Sequence, residues 1–174
     1  ILANGGVPRR DKLAHLLRNH LRTEPTDALL HEYLGRYALQ LEHRLAAAPM
    51  VEGVGDFIAR SPVTRYVCSS APEVEVREQV SRRALGRHFA AVYGGATPKP
   101  DALRAIAASH PSRPVIFFGD SIGDYEASRR AGVAFVGVVC ERDNFQGMSV
   151  VKLRDFADPA AVEAAMRRAL AHAS

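Results

Sequence analysis

The sequence predicts a Rossmann-like α/β fold, a parallel sheet with helices on both faces, together with a small all-helical unit. Three observations carry that expectation. Residues 1–50 show only helical periodicity. After residue 50, short runs rich in β-branched and aromatic residues alternate with helix-period stretches, which is the pattern of a parallel sheet covered on both sides. The run Val115-Ile116-Phe117-Phe118 is apolar throughout, as a strand buried on both faces must be, and a loop of acids and a further helix follow it directly.

The 174 residues allow one ordinary domain, or a core with a small accessory domain. Hydrophobic residues make up 47%, enough for a sizeable core. The net charge of +4 comes from arginines spread along a chain without Trp, so no nucleic-acid surface is expected, and a small anionic substrate fits as well. Cys68 and Cys140 both lie in apolar strand-like runs and are expected to be buried, inert thiols in a reducing compartment. No apolar run is long enough to span a bilayer and no signal-peptide pattern is found, which reads as cytoplasmic with no membrane partner.

Taken in order, Asn4-Gly5-Gly6 marks a flexible connector and Pro8 opens a helix with Leu13, Leu16, Leu17 and Leu21 on one buried stripe. Thr26 caps a longer helix with Leu30, Tyr33, Leu34, Tyr37, Leu41 and Leu45 along one face, ending before Pro49. The two form an αα-hairpin. That stripe serves a partner as readily as the chain's own core, so monomer and homodimer both stay open. Arg18, Arg22, Glu32, Arg36 and Glu42 read as a solvated face, and His15, His20, His31 and His43 as ordinary residues without metal-ligand spacing.

A short helix over 53–59 leads to a strand over 64–68. The loop Ser69-Ser70-Ala71-Pro72 precedes a helix that stops at Gly86, and a brief strand over 91–93 follows. Lys99, between Pro98 and Pro100, opens the next helix. After the strand at 115–118 come Asp120 and Asp124, a helix stopping at Gly132, strands over 134–139 and 150–153, and a last helix from Pro159.

Ligands of parallel sheets collect beyond the carboxyl ends of the strands, and three loops of this chain meet that rim. Ser69 and Ser70 precede a helix N-terminus, where hydroxyls and backbone N–H groups make an anion site or, more plainly, a helix cap. Lys99 is a point charge suited to phosphate, or a surface charge. Asp120 and Asp124 lie one helical turn apart; one acid alone reads as a cap or a surface charge. As a pair of hard oxygen ligands without His or Cys beside them they suit Mg²⁺. Together the three loops supply what phosphoryl transfer needs: positive charge and oriented donors around the phosphoryl oxygens.

On these residues the chain resembles the haloacid dehalogenase-like (HAD) superfamily of Mg²⁺-dependent phosphohydrolases over nearly its whole length. The family's Ser/Thr motif matches Ser69 in YVCSSAP, its lysine motif matches Lys99 in ATPKPDAL, and its acidic motif matches FFGDSIGDYEASRRAG, the most specific of the three. The resemblance implies that Asp120 and Asp124 hold the metal, that Ser69 and Lys99 are catalytic, and that Ser69, Ser70 and Lys99 bind substrate. Residues 1–50 resemble the helical cap that some members insert between the first and second motifs, which excludes water and sets substrate choice. Arg9, Arg10 and Lys12 are then candidates to face the substrate.

The family's first motif, DxDx(T/V), which carries the nucleophilic aspartate, is not matched. The remaining aspartates, at 11, 27, 56, 101, 143, 155 and 158, do not follow a strand-like run with a second acid two positions on. The sequence begins at Ile1 where the cap should begin, so an upstream segment is expected to bring the first strand and the nucleophile to the core at 51–174. The function the resemblance implies is a phosphomonoester hydrolase, phosphoglycolate-phosphatase-like, acting on a small phosphorylated metabolite through an aspartyl-phosphate. A non-catalytic phosphate-binding or interaction protein of the same fold is the alternative, and a phosphomutase ranks below both.

Overall fold

The computed structural model describes residues 9–173, with the side chains of Glu42 and His43 excepted. The Asn4-Gly5-Gly6 connector and the helix start at Pro8 lie outside the described residues. The elements run α1 (Arg9–Asn19), α2 (Asp27–Ala47), α3 (Val54–Arg60), β1 (Tyr66–Cys68), α4 (Glu73–Arg82), a one-turn 3₁₀ helix (Gly86–His88), β2 (Ala91–Tyr93), α5 (Lys99–Ser109), β3 (Ile116–Gly119), α6 (Ile122–Ala131), β4 (Ala134–Val138), β5 (Lys152–Leu153) and α7 (Pro159–Ala173).

The caps follow the local chemistry. Thr26 accepts the Leu29 N–H at the start of α2. At α6, Ser121 and Asp124 form a reciprocal capping box, and the helix ends at Gly132 in the left-handed conformation.

All strand pairs are parallel, and the described strands form two sheets, not one. Tyr66 pairs with Ala91 and Cys68 with Tyr93 in the first sheet. In the second the order is β3-β4-β5, with Ile116 beside Ala134 and Val138 beside Leu153. Among the described residues no ladder joins β1 to β3, and that divides the strands into two sheets.

The period-2 alternation of β3 divides its side chains between two cores. Val115 and Phe117 pack with Leu103, Ala127 and Val133 on the face covered by α5 and α6, where Cys68 of β1 joins them. Ile116 and Phe118 face the other cluster, built from Val136, Val151, Leu153, Phe156 and the Val162, Ala165 and Ala169 stripe of α7. Helices therefore cover both faces, as expected.

Three details depart from the expectation. Leu21 is 56% exposed, because α1 ends at Asn19 and the chain has turned away before the stripe is complete. Tyr33 and Tyr37 of α2 are 39% and 51% exposed, because they look into a cavity and not onto a core. Cys140 is exposed, since β4 ends at Val138 and the apolar run outlasts the strand; Cys68 is half-buried.

Candidate active site

A cavity of about 750 Å³ lies between the helical pair α1–α2 and the carboxyl ends of β1 and β3. Ser69, Ser70, Lys99, Asp120 and Asp124 all line it, with Arg9, Lys12, Tyr33, Arg36 and Tyr37 contributed from the helical side. Residues from four separate loops and helices thus meet at one rim.

Ser69 follows β1 directly, its N–H bonded to Tyr93 O at 2.9 Å. Its Oγ accepts the Ala71 N–H at 3.1 Å, which closes a turn. The cap position of α4 belongs to Pro72, so neither serine caps that helix. The first turn of α4 carries Glu73 and Glu75, held respectively by Arg77 and Arg9. The Ser69-Ser70 loop is pinned from behind: a Cβ at Gly95 would sit 2.6 Å from Ser70 O.

Lys99 begins α5 and donates from Nζ to Asp124 Oδ1. Asp124 is 4% exposed, and its Oδ2 accepts from Ser121 Oγ at 2.7 Å and from the Ser121 N–H at 3.2 Å. Gly119 makes room for it, since a Cβ there would come within 2.5 Å of Asp124 Cβ. The acid is therefore both the third residue of the capping box and the ion partner of Lys99; Ser121, which sequence reasoning passed over, is the cap.

Asp120 opens onto the cavity. Its backbone carbonyl accepts from Asn144 Nδ2 at 2.8 Å, a bond across 24 positions that periodicity could not reveal. The pKa of its carboxyl is raised above the ordinary value, first by lost hydration inside the concave site and next by the negative charge of Asp124. Oxygen-only donors in that arrangement fit Mg²⁺, which takes one or two carboxylates and completes its shell with water and phosphate oxygens. When bound, such an ion offsets negative charge on a phosphoryl group.

The thiol of Cys68 stands just behind the site, its pKa pushed up to about 11 by burial, with Lys99 lowering and Asp124 raising it to lesser extents.

Of the three cationic candidates on α1, Arg9 and Lys12 reach the cavity. Arg10 pairs with Asp27 on the outside. Arg36, expected on a solvated face, and His15 and His20, expected to be ordinary, also line the cavity. Their helical spacing places Arg36 beside Tyr33, His15 beside Lys12 and His20 beside Leu16, a signal that their polarity masks.

No family model matches the chain. A phosphoglycolate phosphatase from Agrobacterium fabrum is 28% identical over 119 residues, covering 64% of this chain and 51% of that protein. The chain thus spans about half the length of this curated relative. Among solved structures, a predicted phosphoglycolate phosphatase from Haemophilus somnus superposes with a TM-score of 0.70 at 16% identity, over 88% of this chain and 75% of that one. A haloacid dehalogenase-like protein of unknown function from Agrobacterium tumefaciens gives 0.67 at 21% identity, over 90% and 78%. The chain has the fold of these solved proteins.

Proposed function

We propose that this chain is the cap and most of the core of a HAD-like, Mg²⁺-dependent phosphomonoester hydrolase acting on a small phosphorylated metabolite. The observation that supports the reading best is the convergence of Ser69, Lys99, Asp120 and Asp124 on one cavity at the carboxyl ends of parallel strands. The phosphatase name of the curated relative supports the same reaction class. Residues before 50 act as the cap and the rest as the core.

In this reading Asp120 and Asp124 hold the ion. Ser69 Oγ turns from the Ala71 N–H to donate to a phosphoryl oxygen, and Lys99 balances the charge of the phosphoryl group and of the attacking carboxylate. Ser70 contributes to the same anion site. The nucleophile belongs to a segment outside this sequence, which enters as a parallel strand between β1 and β3, where neither strand has a ladder partner from the other. Attack by that carboxylate on phosphorus breaks the ester P–O bond, releases the alcohol and forms an aspartyl-phosphate, which water then cleaves to inorganic phosphate and the free carboxylate.

The test is hydrolysis of a generic aryl phosphate by the protein carrying the upstream segment, with and without Mg²⁺. Metal-dependent turnover that is lost in Asp120→Asn is expected. Absence of turnover across a panel of phosphates favours the non-catalytic binding protein instead.

A further inference from the structure

From the bonds that hold the rim we infer, on the metal reading of Asp120 and as a refinement of it, that Asn144 is a positioning residue. It fixes the backbone of Asp120 and so the direction in which that carboxylate faces a cation. The two acids are held differently. Asp124 is fixed through its carboxylate, by Lys99, by Ser121 Oγ at 2.7 Å and by the Ser121 N–H at 3.2 Å. Asp120 is gripped through its main chain: Asn144 Nδ2 donates to its carbonyl at 2.8 Å, just past the end of β3 at Gly119. That bond sets the plane of the peptide after Asp120, hence its ψ, and the backbone dihedrals decide which χ1 rotamers are open to a side chain.

Asn144 is in turn held from both sides. Before it, Asp143 Oδ2 accepts from Lys152 Nζ at 2.7 Å, at the start of β5, and Asp143 Oδ1 accepts the Phe145 N–H at 2.8 Å. After it, the Phe145 ring is fully buried and meets Phe135 of β4 edge-on, their centroids 5.6 Å apart. Gly137 leaves the space for that ring, since a Cβ there would lie 2.7 Å from Phe145 Cε2. The amide thus reaches Asp120 from a segment anchored to β4 and β5. Asn144 itself is exposed, so removing its amide opens no hole in the core. Mg²⁺ demands near-ideal octahedral geometry, whereas Ca²⁺ accepts larger and looser shells of oxygen. A misdirected Asp120 therefore weakens Mg²⁺ binding more than Ca²⁺ binding.

The test measures Mg²⁺ and Ca²⁺ affinity calorimetrically, with inorganic phosphate present, in the complete protein and its Asn144→Ala variant. Asn144→Ala is expected to weaken Mg²⁺ about tenfold, the lower end of what loss of such an outer partner costs, and Ca²⁺ by much less. An unchanged Mg²⁺ affinity overturns the positioning role. So does a loss as large for Ca²⁺ as for Mg²⁺, which a loop that merely shapes the rim would give. If the natural protein binds neither cation, the metal reading falls separately, and NMR of the metal-free protein then decides the role of Asn144. The Hα–Hβ couplings of Asp120 are those of a single χ1 rotamer in the natural protein. Their averaging in Asn144→Ala sustains the positioning role, and identical couplings in both proteins overturn it.

Discussion

The ammonium of Lys99 donates to the carboxylate of Asp124 at the base of the cavity, and both side chains are withdrawn from solvent, 17% and 5% exposed. The pair joins the start of α5 to the first turn of α6 and fixes the height at which the lysine meets the rim. Removing one partner leaves a buried charge without compensation. Lys99→Ala is expected to lower stability by about 3 kcal/mol, read from denaturant unfolding. The double variant Lys99→Met with Asp124→Asn is expected to recover part of that loss, because no lone charge remains.

Asp120 behaves in the opposite sense. Its pKa is raised in the folded protein by lost hydration and by Asp124. The folded state therefore binds its proton more tightly than the unfolded chain does. Its favourable contribution is present below the ordinary carboxylate value and is lost as pH rises through the raised one. Without added metal, Asp120→Asn is expected to have a higher Tm than the natural chain at neutral pH, with the difference closing as pH falls toward 4, roughly the ordinary carboxylate range. Thermal scans at several pH values check this; equal melting at neutral pH contradicts it.

The two thiols separate by environment. Cys68 is half-buried with its pKa pushed up to about 11, whereas Cys140 is exposed in the turn after β4. Alkylation depends on access and on thiolate content. Mass spectrometry after brief iodoacetamide treatment at neutral pH is expected to find Cys140 modified well before Cys68.

Much of this was legible in the residues themselves. The apolar run before Asp120 declared a strand covered on both faces, and Ile116 and Phe117 do point into different cores. Thr26, Lys99 and Gly132 marked helix ends that the structure keeps. What stayed illegible depended on contacts distant in sequence. The Asn144 bond to Asp120 spans two elements. Tyr33 and Tyr37 carry the periodicity of a core stripe yet line a cavity, since periodicity reports which side of a helix is apolar and not what stands opposite. The exposure of Cys140 is hidden in the sequence because hydrophobicity continues past the end of β4 at Val138.

The ion pair from Arg9 to Glu75 links α1 to α4 and so ties the helical pair to the rim. Both side chains are partly exposed, 25% and 35%, which limits the pair to about 1 kcal/mol. Glu75→Gln is expected to leave the global unfolding midpoint nearly unchanged while amide exchange across α1 quickens. Unaltered exchange in α1 would show that the pair does not restrain it.

In the proposed reading Asp120 and Asp124 together hold a divalent cation at this rim. Calorimetric titration of Mg²⁺ into the chain in the presence of inorganic phosphate tests it most directly. One saturable site is expected, abolished by Asp120→Asn and strongly weakened by Asp124→Asn. Absence of binding, or binding that survives Asp120→Asn unchanged, would contradict it.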